Sequence, residues 1–306
     1  MADIGRKIRD YLTVPGTDVV LPLTRVDGIM AGPTLLVTAG VHGGEYAPIE
    51  AAIRFASALE AERIKGQVLV VHLTNPLSFF AKSQYVVPRD GKNLNRVFPG
   101  VANGTVSERI AFAISRLAST ADYWVDMHAG DIHEALVPFV IFSDQGDPRV
   151  VSRSKAMAQI YGIEYIVQSA AIGGGTYAAG ARMGIPSILA EAGQLAQVDE
   201  GAVTTHLRGL ENVLRYLEMV AEKLDSVSQS HILHQFAWVD SPATGLFYRS
   251  IQAGDVVRVG VVAGVVRNPF GDIIEEIRVP QDGVVLFVVT SLAINAGEPL
   301  FAVASP

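Results

Sequence analysis

The chain has 306 residues, of which 49% are hydrophobic and 18% are charged, and its formal net charge is -7. A chain of this length can bury one large core and form a smaller second domain, and an acidic chain without a concentrated basic stretch is not expected to bind nucleic acid. Cysteine is absent, which excludes disulfides and thiolate chemistry and fits a reducing compartment, so we predict a cytoplasmic protein.

Segments that would direct the chain to a membrane are not evident. Residues 1–7 lack the apolar run of a secretory signal, and no stretch approaches the roughly 20 uninterrupted apolar residues of a membrane helix, so we expect no membrane association. The mean hydropathy is nevertheless positive. That value is typical of a well-filled core, or of a surface buried between the copies of a homo-oligomer.

Strand and helix patterns alternate along the first three quarters of the chain. After short strands up to about residue 30, residues 34–38 predict a buried strand, a helix begins near Pro48, and residues 67–73 predict another strand. The irregular stretch 75–104 is long for a compact domain, and such segments usually carry function. Further helices are predicted to begin at Thr105, Asp147 and Asp199, the last running to about Leu224, and further strands to cover residues 123–127, 136–142 and 185–190.

The alternation predicts an α/β catalytic domain over residues 1–230, with a mixed, largely parallel sheet flanked by helices. Residues 231–306 contain short Val-rich runs between turns, which predict a small all-β domain. Its pattern is reminiscent of biotinyl or lipoyl carrier modules, but no lysine follows Lys223 to carry such a group. We therefore expect the β domain to have a structural or gating role.

A candidate metal site lies where predicted strands end. His42 and Glu45 stand in a glycine-rich turn between the first buried strand and the next helix, and His128 follows the strand over residues 123–127. Ligands bind at the carboxyl ends of strands in open α/β sheets, and zinc accepts imidazole nitrogen and carboxylate oxygen. We predict that these three side chains bind one zinc ion per chain, with cobalt or manganese as alternatives.

The His-x-x-Glu pair is a weak motif by itself. The prediction of a metal site depends also on the position of the pair at a strand end and on the distant His128. His133 lies close enough to His128 in the sequence to be mistaken for a ligand, whereas His72 is expected in the core. Asp126 would point to the same side of a regular strand as His128, where it would support the site.

Two further features are predicted to bind and convert a substrate. Arg96 offers a planar fork for a carboxylate and Asn95 adds directed hydrogen-bonding groups, so both are expected to bind a substrate carboxylate. The alternative for Arg96 is a surface ion pair. Glu191 follows the strand over residues 185–190 and is predicted to be a general base that takes a proton from water, the alternative being a surface carboxylate.

Four motifs occur in a recognisable order: Gly-x-His-Gly-Gly-Glu at 40–45, Asn-Leu-Asn-Arg-x-Phe-Pro-Gly at 93–100, Asp-Met-His-Ala-Gly at 126–130 and Glu-Ala-Gly at 191–193. In order and approximate spacing, the chain from about residue 30 to its end resembles the succinylglutamate desuccinylase/aspartoacylase family, a branch of the zinc carboxypeptidase-like fold. The resemblance implies zinc at the three predicted ligands, the substrate carboxylate at Asn95 and Arg96, and protonation of the leaving amine by Glu191. The implied reaction is hydrolysis of the amide bond of an N-acyl amino acid.

One position departs from the pattern of the family. Its members commonly carry another arginine upstream of the Asn-Arg pair, where this chain has Gln84 or Tyr85, and Arg89 follows a few residues later. We expect either that Arg89 binds the substrate after a shift of the loop, or that the scissile carbonyl is polarised differently.

The expected partner is a small N-acyl amino acid that carries a carboxylate: N-acetylaspartate, N-succinylglutamate or an N-acetylated diamino acid. A metallocarboxypeptidase acting on small peptides is the alternative enzyme, because the same side chains would serve it. A non-catalytic metal-binding relative is the alternative outside enzymes. No Gly-x-x-x-x-Gly-Lys-Ser/Thr loop occurs, so nucleotide binding is not expected.

Overall fold

The computed structural model describes residues 5–170, 173–224 and 229–306. The helices in these ranges are α1 (Tyr46–Ala58), α2 (Pro76–Ala81), α3 (Val106–Ala118), α4 (Pro148–Tyr161), α5 (Thr176–Arg182) and α6 (Glu200–Tyr216). The first strands are β1 (Arg6–Thr13), β2 (Val20–Asp27), β3 (Met30–Ala39), β4 (Lys65–Val71), β5 (Val86–Val87), β6 (Lys92–Asn93), β7 (Tyr123–His128), β8 (Glu134–Leu136), β9 (Phe139–Ser143) and β10 (Tyr165–Ser169). The later strands are β11 (Ser187–Glu191), β12 (His231–Leu233), β13 (Gln235–Asp240), β14 (Gly245–Arg249), β15 (Val256–Val257), β16 (Val262–Arg267), β17 (Ile273–Arg278), β18 (Gly283–Val289), β19 (Ala293–Ile294) and β20 (Pro299–Ser305).

The main body is a nine-stranded sheet with the strand order β1-β2-β4-β3-β7-β11-β9-β10-β12. Strands β4, β3, β7 and β11 run parallel to one another, and β9 returns antiparallel to β11. The hairpin of β1 and β2 forms one antiparallel edge. The sheet is therefore mixed and largely parallel, as predicted, and the carboxyl ends of β3, β7 and β11 lie side by side.

Two hydrophobic cores cover the two faces of this sheet. Because successive side chains of a strand point to opposite faces, Leu35 and Val37 of β3 lie in one core and Leu36 lies in the other. Helices α1, α4 and α6 contribute to the first core, and α3 and α5 contribute to the second. The central strands are buried on both faces, which fixes the positions of the side chains at their ends. Among the described helices, none has the length and apolar character required to cross a membrane.

The rest of the chain forms antiparallel sheets with a core of their own. One sheet has the order β13-β20-β18-β15, and β8 from the first part of the chain pairs with β18. The other has the order β17-β16-β14-β19. Strand β12 still pairs with β10 in the large sheet, so the all-β region begins after it. The division of the chain at residue 230 into two domains stays a prediction.

The strand predicted over residues 136–142 is wrong as a single element. Pro138 has no N–H group to donate to a sheet, and it separates β8 from β9. The two strands then join different sheets, since β8 pairs with β18 and β9 pairs with β10 and β11.

The helix predicted to run to about Leu224 ends earlier, at Tyr216. The chain turns back through Glu218, whose φ of 55° is not helical, and the N–H of Met219 donates to the carbonyl of Leu214. Burial of the Met219 side chain favours this turn over a continued helix. The predicted change of pattern at residues 225–230 and the start of the N-terminal segment lie partly outside the described residues.

Candidate active site

Three neighbouring strands bring the predicted side chains to one edge of the sheet. Strand β7 pairs with β11 in a register that sets His128 beside Glu191, and β3 lies on the other side of β7. After β3 the chain turns through Gly40, whose φ of 66° is a left-handed conformation that favours glycine. This turn places His42 and Glu45 next to the end of β7.

His42, Glu45 and His128 form a buried cluster whose ligand atoms all lie within 4.8 Å of one another. The two oxygens of Glu45 lie 2.6 Å from Nδ1 of His42 and 2.9 Å from Nδ1 of His128. The outer nitrogens face oxygen acceptors: Nε2 of His42 is 3.1 Å from Oδ1 of Asn93, and Nε2 of His128 is 2.8 Å from Oδ2 of Asp126. With a metal ion at the Nδ1 atoms, each Nε2 would carry the ring proton and donate it to the facing oxygen.

This arrangement fits a bound cation. Both Nδ1 atoms point at the carboxylate of Glu45, so the space between these three groups favours a positive charge, which either protons on Nδ1 or a bound metal ion would supply. Oε2 of Glu45 is buried and accepts no hydrogen bond. Burial alone would lower the pKa of His128, but the carboxylates of Glu45 and Asp126 raise it well above its usual range. Two imidazoles and one carboxylate are a donor set typical of zinc with an open position for water.

The carboxylate of Asp126 holds His128 in this orientation. It is buried, and it also accepts hydrogen bonds of 2.5 Å from the hydroxyls of Thr38 and Thr176. Thr38 in turn accepts a hydrogen bond of 2.9 Å from the indole of Trp124. The sequence did not indicate the two threonines, because they are remote in the chain from the residue they contact.

Glu191 stands at the end of β11 and lines the same cavity as the cluster. Its Oε2 is buried without a hydrogen-bond partner. Burial raises its pKa well above the usual value against the opposing effect of His128, and the nearby carboxylates of Glu45 and Glu134 raise it further. A carboxyl group with a raised pKa can both accept and return a proton near neutral pH.

Asn95 and Arg96 lie in a turn of 3-10 helix after β6, and both line the cavity. The side-chain oxygen of Asn95 accepts the N–H of Thr176 at 3.1 Å, which ties this turn to the start of α5. Gly174 allows the close approach, since a Cβ there would come within 2.0 Å of the Arg96 carbonyl. Arg96 makes no ion pair with any residue of the described ranges, and burial lowers its pKa. Its guanidinium is thus available to a ligand, and the expected alternative of a surface ion pair is not formed.

Arg89 is the one predicted substrate-binding residue that the structure does not bring to the site. Its exposed guanidinium pairs with Asp18, at 2.8 Å for one of the two contacts. The same loop instead places Tyr85 in the cavity, with a left-handed φ of 57° and its N–H bound to Asp131 at 2.8 Å. The ring of Tyr85 meets that of His42 edge-on at 5.7 Å. Burial raises the pKa of Tyr85, so its hydroxyl stays neutral and can donate a hydrogen bond.

The cavity has a volume of about 390 Å³, a size typical of sites for small molecules. Sequence reasoning missed Glu134 of β8, whose pKa burial raises to about 7. It also missed the wall that the all-β region contributes, because no local pattern in those strands points to the site. The residues of this wall include Phe236, Trp238, Asp240 and Phe287.

The other histidines have structural contacts. His72 hydrogen-bonds the hydroxyl of Thr24 at 2.7 Å, and His133 is exposed and outside the metal cluster. His206 is buried on α6, where its Nε2 contacts the carbonyls of His128 and Ala192 at 3.2 and 3.0 Å. It thereby packs α6 against the ends of β7 and β11.

Residues 31–217 match the family model described as the succinylglutamate desuccinylase/aspartoacylase catalytic domain. The chain belongs to this family. It is 29% identical over 295 residues to the N-alpha-acetyl-L-2,4-diaminobutyric acid deacetylase of Halomonas elongata, a match that covers 94% of this chain and 86% of that protein.

Two solved structures share the whole fold. The product-bound ectoine utilization protein EutE (DoeB) from Ruegeria pomeroyi has a TM-score of 0.88 and 27% identity, with 99% of this chain and 95% of that chain covered. A succinylglutamate desuccinylase/aspartoacylase from Rhodobacter sphaeroides has a TM-score of 0.85 and 27% identity, with 100% and 97% covered. The predicted family, the fold class and the class of enzyme, a deacylase, are therefore confirmed.

Proposed function

We propose that the protein is a zinc-dependent deacylase that hydrolyses the amide bond of an N-acyl amino acid with a free carboxylate. The main support is the buried cluster of His42, Glu45 and His128, whose first two members line one cavity with Glu191 and with Arg96, a guanidinium that makes no ion pair with a described residue. The relative from Halomonas elongata is by its name a deacetylase of an N-alpha-acetylated diamino acid, which supports this class of substrate. The lack of cysteine supports a cytoplasmic location.

Each of the side chains at the site has a separate role in the reaction. Arg96 and the side-chain NH2 group of Asn95 bind the substrate carboxylate, while the side-chain oxygen of Asn95 holds the turn that carries Arg96. Glu191 takes a proton from the attacking water and passes it to the leaving amine, so that the C–N bond breaks and a carboxylate and a free amino acid result. Tyr85 offers a neutral hydroxyl donor where members of the family commonly have an arginine. A zinc ion bound by the cluster would lower the pKa of water and polarise the amide carbonyl.

The first test is zinc content together with activity on a panel of N-acyl amino acids and dipeptides, before and after chelation. We expect about one zinc per chain, hydrolysis of an N-acyl amino acid, loss of activity on chelation and recovery with zinc. Faster cleavage of the dipeptides would instead identify a carboxypeptidase. A zinc-loaded protein inactive on the whole panel would favour the non-catalytic alternative.

Replacing Arg96 by Ala tests the carboxylate site. We expect kcat/KM to fall by at least about 2 kcal/mol, roughly 30-fold, because the substrate carboxylate would be buried without its partner. Arg89→Ala is the matched control, since Arg89 comes from the same loop and pairs with Asp18 at the surface. Equal kcat/KM values for the two variants would contradict the role of Arg96.

A further inference from the structure

Strand β13 of the all-β region presents a stripe of side chains to the active-site cavity. Phe236 and Trp238 alternate along the strand and point to the same face of the sheet, and Asp240, which follows a shift in the register with β20, lines the cavity together with them. The stripe thus runs from two aromatic rings to a carboxylate at the end of the strand.

The neighbouring strand β20 has small side chains beside the large rings of β13. Trp238 pairs across the sheet with Ala302 of β20, and Phe236 pairs with Ala304, so small side chains lie beside the large rings. The ring of Trp238 packs against that of Phe287 on β18, with centroids 4.6 Å apart, and lies 6.0 Å from the ring of Phe236. Trp238 is nevertheless 42% exposed, so part of its ring is available to a ligand.

Asp240 is a carboxylate of the cavity wall that lies apart from the metal cluster. The other carboxylates among the lining residues of the described ranges are Glu45, which belongs to that cluster, and Glu134 and Glu191, whose pKa values burial raises, and the one guanidinium of this lining is that of Arg96. Arg96 is assigned to the substrate carboxylate, so no lysine or arginine of this lining is left for a second acidic group. The side chain of Asp240 makes no hydrogen bond or ion pair with another described residue, and its exposed carboxylate is open to a cation.

We propose that the stripe of Phe236, Trp238 and Asp240 is a subsite for a positively charged side chain, and that it selects N-alpha-acyl diamino acids among the substrates. The proposal rests on the proposed deacylase function and specifies its substrate class. The aliphatic part of such a side chain lies against the aromatic rings, the ammonium group is attracted by their faces, and Asp240 pairs with the charge.

The other substrate classes fit this wall less well. A second carboxylate, as in N-acetylaspartate or N-succinylglutamate, would be repelled by Asp240, and the described lining offers no second lysine or arginine to pair with it. A neutral aliphatic side chain would pack against the rings, but it would bury the carboxylate of Asp240 without a partner. Of these three kinds of side chain, only the cationic one both packs against the rings and pairs with Asp240.

The test compares the zinc-loaded wild-type protein with Asp240→Asn, Trp238→Leu and the control Glu275→Gln, which removes a negative charge from exposed β17 outside the cavity. The kcat/KM values are measured for N-alpha-acetyl-2,4-diaminobutyrate, N-acetyl-2-aminobutyrate and N-acetylaspartate. In parallel, calorimetry measures the binding of 2,4-diaminobutyrate and 2-aminobutyrate, so the test does not depend on turnover.

We expect the wild type and the Glu275→Gln control to prefer the cationic compound in both measurements. Asp240→Asn should lower this preference about tenfold, and Trp238→Leu about threefold. Equal affinity of the wild type for the cationic and neutral amino acids, or a preference that Asp240→Asn leaves unchanged, would overturn the subsite. Selective binding without hydrolysis of any acyl amino acid would keep the subsite and refute the deacylase function.

Discussion

Replacing Asp126 by Asn tests how the site fixes its metal ligands. The carboxylate accepts hydrogen bonds from His128 at 2.8 Å and from Thr38 and Thr176 at 2.5 Å each. An asparagine has an acceptor on one side only, so its NH2 group faces one of these donors in either orientation. The better orientation keeps the oxygen at His128 and Thr176 and sets the NH2 group against the hydroxyl of Thr38.

The expected cost follows from these contacts. Changes to a carboxylate that orients a ligating histidine typically weaken metal binding by roughly 10- to 100-fold, or about 1.4–2.7 kcal/mol. The Thr38 hydroxyl loses its acceptor and is buried with a mispaired donor, which lowers the free energy of unfolding by about 1–3 kcal/mol. We therefore expect the Kd of zinc for Asp126→Asn to rise by one to two orders of magnitude while the protein still folds.

The assay is competition for zinc with a chromophoric chelator, together with circular dichroism to establish folding. Asp122→Asn is the control, because Asp122 lies just before the same strand and accepts the N–H of Thr34 at 2.8 Å at the surface. A folded Asp126→Asn protein with the zinc Kd of the wild type would refute the argument, as would an equal loss in Asp122→Asn.

Three further outcomes are expected. Glu191→Gln should keep its zinc but lose about 10²- to 10⁴-fold in kcat at saturating substrate, because an amide cannot take the proton from water. Gly44→Ala should lower the free energy of unfolding in urea by about 1–3 kcal/mol, since a Cβ at this position would come within 1.9 Å of the Asp131 carboxylate. Zinc at one hundred times its Kd should stabilise the protein by about 2.7 kcal/mol, seen as a Tm that falls when a chelator is added.

Each of these outcomes has a control. Glu275→Gln, on exposed β17, should leave kcat unchanged, and a Glu191→Gln protein as active as this control would contradict the role of Glu191. Gly173→Ala introduces a methyl group with no atom within 4 Å, so equal urea midpoints for the two glycine variants would refute the steric argument. A Tm that is the same with and without chelator would show that the cluster holds no stabilising metal.

The sequence by itself determined the large sheet and the position of the chemistry on it. Apolar runs of strand length ended at His128 and Glu191, and a glycine-rich turn held His42 and Glu45. Because parallel strands end at one edge of a sheet, these local signals were enough to predict that distant residues meet. The structure lines one cavity with His42, Glu45 and Glu191 and places His128 in the buried cluster with the first two, and what these side chains do there stays a proposal to be tested by mutation.

Only the tertiary structure decided which other groups reach that edge. The acceptor Asp126 and its donor Thr38 are separated by 88 residues, and a threonine hydroxyl gives no local signal of such a partner. The loop after α2 brings Tyr85 to the cavity and leaves Arg89 paired with Asp18. The backbone conformation of the loop decides this, and the spacing of the motifs does not predict it.

The wall of the cavity is a stronger example of a feature that the sequence does not indicate. Strand β13 has an ordinary alternating pattern, and nothing in it indicates that one of its faces lies over a site built at the ends of β3, β7 and β11. That placement depends on the pairing of β8 with β18, which joins the two parts of the chain. Local patterns specify strands and turns, whereas the contacts between strands remote in sequence depend on how whole sheets pack, and these contacts form the wall of the cavity.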